Sequence, residues 1–72
     1  MASTAKAVAF KEIFALLAVR IGEAAARTKA ATMLINDDHH EQGFNMLLEA
    51  EQPLYEARTL LNALSLLQRA EQ

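Results

Sequence analysis

Along the first half of the chain, apolar or small residues recur in alternating steps of four and three. Phe10, Phe14, Leu17, Ile21, Ala24, Thr28, Ala31 and Ile35 form one such row. A 3.5-residue period keeps one stripe of a helix facing a neighbour over many turns, as in a coiled coil. Ala and Leu dominate the segment, and both are strong helix formers. The pattern predicts a helix from about Ser3 to Asn36, with Ser3 or Thr4 placed to accept a bond from a free N–H of the first turn. The row is bulky at its ends and small in its middle, so a facing helix could come close around Ala24 to Ala31. A second row, Ala15, Ala18, Gly22 and Ala25, runs along the same helix. Glycine inside a helix costs about 1 kcal/mol relative to alanine. Gly22 is therefore either a point of close backbone approach or a tolerated surface glycine. If both rows are used, this arm lies between two neighbours, and a lone hairpin supplies only one.

The pattern then breaks at Asn36-Asp37-Asp38-His39-His40-Glu41-Gln42-Gly43. Asp37 or Asp38 suits an N-cap, and Asp38 with Glu41 has the spacing of a capping box. A second helix is expected from near Asp38 to about Arg69, with a loose first turn up to Gly43. Leu47, Ala50, Leu54, Ala57, Leu61 and Leu64 again step by three and four, and Leu60 and Leu67 widen the stripe. Pro53 falls in the middle, where it removes a backbone donor and crowds the carbonyl four residues back. The helix is kinked or broken there. The stripe keeps its phase across Pro53, which favours a kinked single arm. The fold class that follows is all-α: residues 1–72 as one antiparallel helical hairpin, expected to associate into a four-helix bundle.

Composition sharpens the expectation of association. The chain has 72 residues, 53% of them hydrophobic, and no cysteine, so disulfides and thiolate metal sites are excluded. Chains this short usually need a staple or a partner. Five leucines within residues 60–67 cover more than one face of a helix, more than one hairpin contact can hide. The net charge of −2 hides an asymmetry. Residues 1–36 carry Lys6, Lys11, Arg20, Arg27 and Lys29 against Glu12 and Glu23, a balance of +3. Residues 37–72 carry Arg58 and Arg69 against Asp37, Asp38, Glu41, Glu49, Glu51, Glu56 and Glu71, a balance of −5. Opposite halves favour folding one arm onto the other.

Candidate chemistry is sparse. Asp37, Asp38, His39, His40 and Glu41 are metal-ligating types. Neighbours at a helix start point about 100° apart, so the run closes no tetrahedral site alone; a solvated, capped turn is the reading, with a metal shared across a dimer the alternative. The two histidines sit together at the joint, away from Ser3 and Ser65, so no nucleophile–base–orienter set forms. Gly22 and Gly43 are isolated and make no phosphate-cradling motif. Arg20, Arg27 and Lys29 form a basic face, but the whole chain is acidic and lacks a polar recognition helix. No enzyme, cofactor, metal, nucleic acid or membrane is expected. Lys11, Glu12 and Arg20 interrupt the apolar runs of residues 7–21, which leaves neither a signal-peptide core nor a membrane span. The expected compartment is the cytoplasm.

The stretch Glu41-Gln42-Gly43-Phe44-Asn45-Met46-Leu47, with Leu54, Ala57 and Leu61 after it, resembles the small co-chaperones of type III secretion needle subunits. Those are helical hairpins with a polar turn. The resemblance covers about half the chain, and Pro53, Gly43 and the alanine-rich first arm depart from it. It implies a tetratricopeptide-type partner docked on the leucine-rich second arm, the pair holding a needle subunit monomeric. The residues themselves point first to a different reading: a symmetric dimer of hairpins, a regulator or inhibitor of another bacterial or phage protein that acts by helix packing. A small heteromeric complex is the alternative association, and a DNA-binding dimer the most remote class. On either protein-binding reading, the expected interface residues are Phe14, Leu17, Ile21, Ala24, Leu54, Tyr55, Leu60, Leu61, Leu64 and Leu67.

Overall fold

The computed structural model describes the backbone of residues 2–70 and the side chains of residues 5–70. Three helices follow one another: α1 (Ala2–Asn36), α2 (His40–Leu48) and α3 (Glu51–Arg69). Among the described residues there is no strand. Helices α2 and α3 form one bent arm that runs back along α1, giving the all-α hairpin the periodicity predicts. Capping by Ser3 or Thr4 concerns side chains outside the described residues; the backbone is already helical at Ala2.

The hairpin is a rod of 56 × 14 × 12 Å. Its length is that of α1, since 35 residues at about 1.5 Å each span roughly 52 Å. The Cα radius of gyration is 16.6 Å, against about 11 Å for a compact domain of this length. Among the described residues no large side chain is fully buried, and the buried apolar residues are Ala24, Ala31, Ala50, Ala57 and Leu64.

The joint departs from the expected capping box. Asp38 adopts a left-handed backbone with φ 65°, and it ends α1 rather than starting α2. The N–H of His39 donates to the Leu34 carbonyl at 2.8 Å, and that of Asp38 to Ile35 at 3.0 Å. These two bonds are a Schellman closure, which satisfies carbonyls that the last helical turn leaves free. Aspartate tolerates this conformation better than most residues. His39 occupies the N-cap of α2 without a side-chain bond, and α2 is regular from His40, with no loose turn before Gly43.

The bend of the second arm lies at Glu49–Ala50, three to four residues before Pro53. Proline cannot donate to the Glu49 carbonyl and crowds it. The chain responds by tightening: the Glu49 N–H donates to Met46 at 3.1 Å and the Ala50 N–H to Leu47 at 2.9 Å, both across three residues. Pro53 thus falls in the first turn of α3, where a missing N–H costs little. Glu49 and Ala50 keep right-handed helical angles, so the arm bends without reversing and the seam stays in phase.

The seam itself repeats every seven residues. Gly43, Ala50, Ala57 and Leu64 are buried on the second arm, and Ala24 and Ala31 on the first, continued by half-buried Leu17 and Phe10. Two ion pairs across the arms, Arg20–Glu56 and Arg27–Glu49, fix the register, because seven residues forward on α1 match seven back on the other arm. That register sets Ala31 near Gly43, Ala24 near Ala50, Leu17 near Ala57 and Phe10 near Leu64, so side chains grow from the joint to the open end. The layer at Gly43 is tight. A Cβ placed on Gly43 would stand 2.6 Å from Ile35 Cγ1 and 3.1 Å from the Ala31 carbonyl oxygen. Around Gly22 the same atom would meet nothing within 4 Å, so within the hairpin Gly22 is a surface glycine.

Candidate interaction faces

Each expected stripe splits in two. Of the first-arm row, Phe10, Leu17, Ala24 and Ala31 enter the seam, while Phe14, Ile21, Thr28 and Ile35 stay exposed. Of the second-arm row, Ala50, Ala57 and Leu64 are buried, while Leu47, Leu54 and Leu61 are exposed. The positions that complete the seam lie on the opposite side of it: Ile13, Arg20 and Leu34 on α1, and Met46, Pro53, Leu60 and Leu67 on the second arm, all half-buried. The cause is physical. Arg20 covers its helix with a methylene stem while its charged head reaches outward, so a seam position need not be an apolar residue.

The seam is therefore flanked by two unlike faces. On one, Arg20 Nε lies 2.9 Å from Glu56 Oε1 and Arg20 Nη1 3.0 Å from Glu23 Oε1. Arg27 Nε lies 3.4 Å from Glu49 Oε1. Gln52 Nε2 donates to Glu56 Oε2 at 3.0 Å. Arg20, Glu23, Arg27, Glu49, Gln52 and Glu56 line a shallow open groove, and the opposite charges of the two halves meet there. Towards the open end this face turns apolar, where Leu16, Tyr55 and Leu60 adjoin Arg20.

The other flank is apolar. Leu17, Ile21, Leu54, Ala57 and Leu61 line one shallow groove, with Arg58 at its border. Phe14 and Leu61 continue it towards the open end, beside Phe10 and Leu64, where Asn62, Ser65, Gln68 and Arg69 form its polar border. Ile21 is 45% exposed and Leu54 51%, although they face each other across the arms. Thr28 and Thr32, farther along α1, turn their hydroxyls inward: Thr28 donates to the Ala24 carbonyl and Thr32 to the Thr28 carbonyl, each at 2.9 Å.

Of the expected interface residues, Ala24 and Leu64 are buried in the seam and Leu17, Leu60 and Leu67 are half-buried along it. Phe14, Ile21, Leu54 and Leu61 stand together on the apolar flank. Tyr55 is exposed beside Leu16 and Leu60. Sequence reasoning missed Gly43 as a point of close approach; the signal was present in the seven-residue steps from Gly43 to Ala50 and on to Ala57.

The acidic and histidine run at the joint does not converge. Among the described residues no group of three or more His, Cys, Asp or Glu could hold a metal, and the one contact in the run is His40 Nε2 to Asp38 Oδ1 at 3.8 Å on highly exposed side chains. Ser65 stands about 37 Å of helix away from His40. No described helix is long and apolar enough to cross a membrane. Compared with protein-family models, curated proteins and solved structures, the chain matches none.

Proposed function

We propose that this chain is a non-enzymatic interaction module that acts by helix packing, and that it works as a dimeric regulator or inhibitor of another protein. One observation carries the reading: a row of large apolar side chains lies exposed along one flank of a hairpin whose buried apolar core, among the described residues, is four alanines and one leucine. Small chains with so little interior gain their stability by association. The alternative is a co-chaperone in a heteromeric complex, favoured by the exposure of Leu47, Leu54 and Leu61 on the second arm, the surface that the needle-subunit resemblance assigns to docking.

Light scattering on the purified chain, with thermal melts over a hundred-fold range of concentration, tests the first reading. A dimer whose melting point rises with concentration is the expected result, since association stabilises by mass action. A poorly folded monomer, rescued by a co-expressed neighbour, would transfer the proposal to the co-chaperone. A well-folded monomer with a concentration-independent melt would overturn both.

A further inference from the structure

The accessible surface of the hairpin is 5589 Å², and a compact monomer of its 7.9 kDa mass exposes about 4,400 Å². The excess is about 1,200 Å², more than the roughly 800 Å² that each partner contributes to a stable interface. The apolar flank is suited to hide it. Its row of Phe14, Ile21, Thr28 and Ile35 against Leu47, Leu54 and Leu61 holds no charge. The hydroxyls of Thr28 and Thr32 are already bonded within α1, so covering them strands no donor.

Two charges border the middle of this flank on α3: Glu51 and Arg58, seven residues apart and so on one side of the helix, with Leu54 between them; a third, Arg69, lies at its open end. Among the described residues neither Glu51 nor Arg58 joins an ion pair across the arms. Glutamate and arginine placed evenly about one point are what a two-fold axis through that point would exchange. The register sets Ile21 level with Leu54, and around Ile21 the bordering residues of α1 are Ala18 and Ala25, also seven apart.

From this symmetry we infer that the apolar flank closes on a second copy of the chain, the two hairpins pointing in opposite directions about an axis through the level of Ile21 and Leu54. The inference rests on the self-association proposed above and gives it a geometry. Each α1 packs on the other α1, with Ala18 against Ala25 of the second copy. Each second arm packs on the other second arm, with Leu47 of α2 against Leu61 of α3 and Glu51 opposite Arg58, twice over. The competing two-fold sets both joints at the same end and lays α1 on the α3 of the second copy. In that arrangement Glu51 comes level with Ala25 and Arg58 with Ala18, so both charges border the interface unmatched. Self-complementary surfaces penalise unmatched charge, which selects the opposed arrangement.

Sedimentation of charge-swapped variants and cysteine cross-linking test the geometry together. Glu51→Arg and Arg58→Glu should each weaken dimerisation roughly ten-fold, because each turns two attractive contacts into two repulsive ones. The double variant should return to within about two-fold of the parent. It shares with Glu51→Arg the loss of an acid at the start of α3, so its recovery separates pairing from any helix-dipole effect. The chain lacks cysteine, so Leu54→Cys gives one thiol per chain. At the axis it should oxidise to a covalent dimer by itself, as should Ile21→Cys. Cross-linking only when Leu54→Cys and Ile21→Cys chains are mixed would establish the same-end arrangement and overturn this geometry with self-association intact. A parent dimer indifferent to both charge swaps would also overturn it. A folded parent monomer would instead overturn the underlying proposal.

Discussion

The two flanks of the seam begin one helical step from the same buried alanines, yet they end differently. On one side Arg20, Arg27, Glu49 and Glu56 meet across the arms and their charges are matched within the chain. On the other, Ile21 and Leu54 sit level and still largely uncovered. The ionic flank contributes little energy, since exposed pairs are worth about 0.2–1 kcal/mol. Its value is directional: in the proposed dimer it marks the side of the hairpin that stays in water and leaves the apolar side as the one covered. On that proposal, binding face and solvent face are set by what each arm places just beyond the seam.

The contrast is broken most severely at Leu54. Leu54→Asp introduces a carboxylate at a site half-exposed in the hairpin and covered in the proposed dimer. Leaving a charge unpaired in an apolar interface is costly, and the two-fold places two of them together. Dimerisation should weaken by at least roughly 100-fold, a lower bound from the several kcal/mol such burial costs. Circular dichroism at high concentration should still show helix, because the seam is untouched. Sedimentation equilibrium reads the loss, and a variant that dimerises as tightly as the parent would remove this flank from the interface. Leu61→Asp, one heptad along, should act in the same direction.

The seam responds to a smaller change, and its two glycines separate seam from surface. A methyl group on Gly43 must fit against the Ala31 carbonyl oxygen at 3.1 Å and Ile35 Cγ1 at 2.6 Å. The Ile35 side chain can turn away; the backbone of α1 cannot. Overpacking of this kind costs about 1–3 kcal/mol, which outweighs the gain of about 1 kcal/mol from helix propensity. Gly43→Ala should lower stability by up to about 2 kcal/mol, the difference between those two effects. Gly22→Ala meets nothing within 4 Å and should raise it by about 1 kcal/mol. Denaturant titrations of the two variants at equal concentration check the sign. Equal signs would mean that Gly22 is packed in the dimer or that the arms separate at the joint.

The helical arms, the hairpin and the all-α class were legible because 3.5-residue periodicity survives any choice of partner. The side of each helix that faces the other was not. Hydrophobicity ranks Phe14, Ile21 and Leu54 above Arg20 and Pro53, so the apparent stripe drifted one step towards the apolar flank. It caught Phe10, Leu17, Ala24, Ala31, Ala50, Ala57 and Leu64, with Leu60 and Leu67 as its widening, and put exposed residues in place of Ile13, Arg20, Leu34, Met46 and Pro53. The same drift is informative, because the apolar residues that the hairpin does not use are the ones the proposed dimer covers. The joint misled for a different reason. Aspartate serves both as an N-cap and in a left-handed C-terminal closure, and only the backbone at Asp38 distinguishes the two.

The smallest effect belongs to the ionic flank. Glu56→Gln removes the 2.9 Å pair with Arg20 and changes little else in shape. Arg20 keeps Glu23 at 3.0 Å, so its charge is not orphaned, and all three side chains remain in contact with water. The loss should be at the low end of exposed pairs, about 0.5 kcal/mol. It should shrink further in 1 M salt, where screening acts over about 3 Å. Dimerisation should be unchanged, because this flank faces away from the proposed axis. A thermal melt at two salt concentrations measures the first quantity and sedimentation the second. A Glu56→Gln variant that dissociates while its monomer stays folded would reverse the roles of the two flanks, making the charged groove the binding face and the apolar one a bystander.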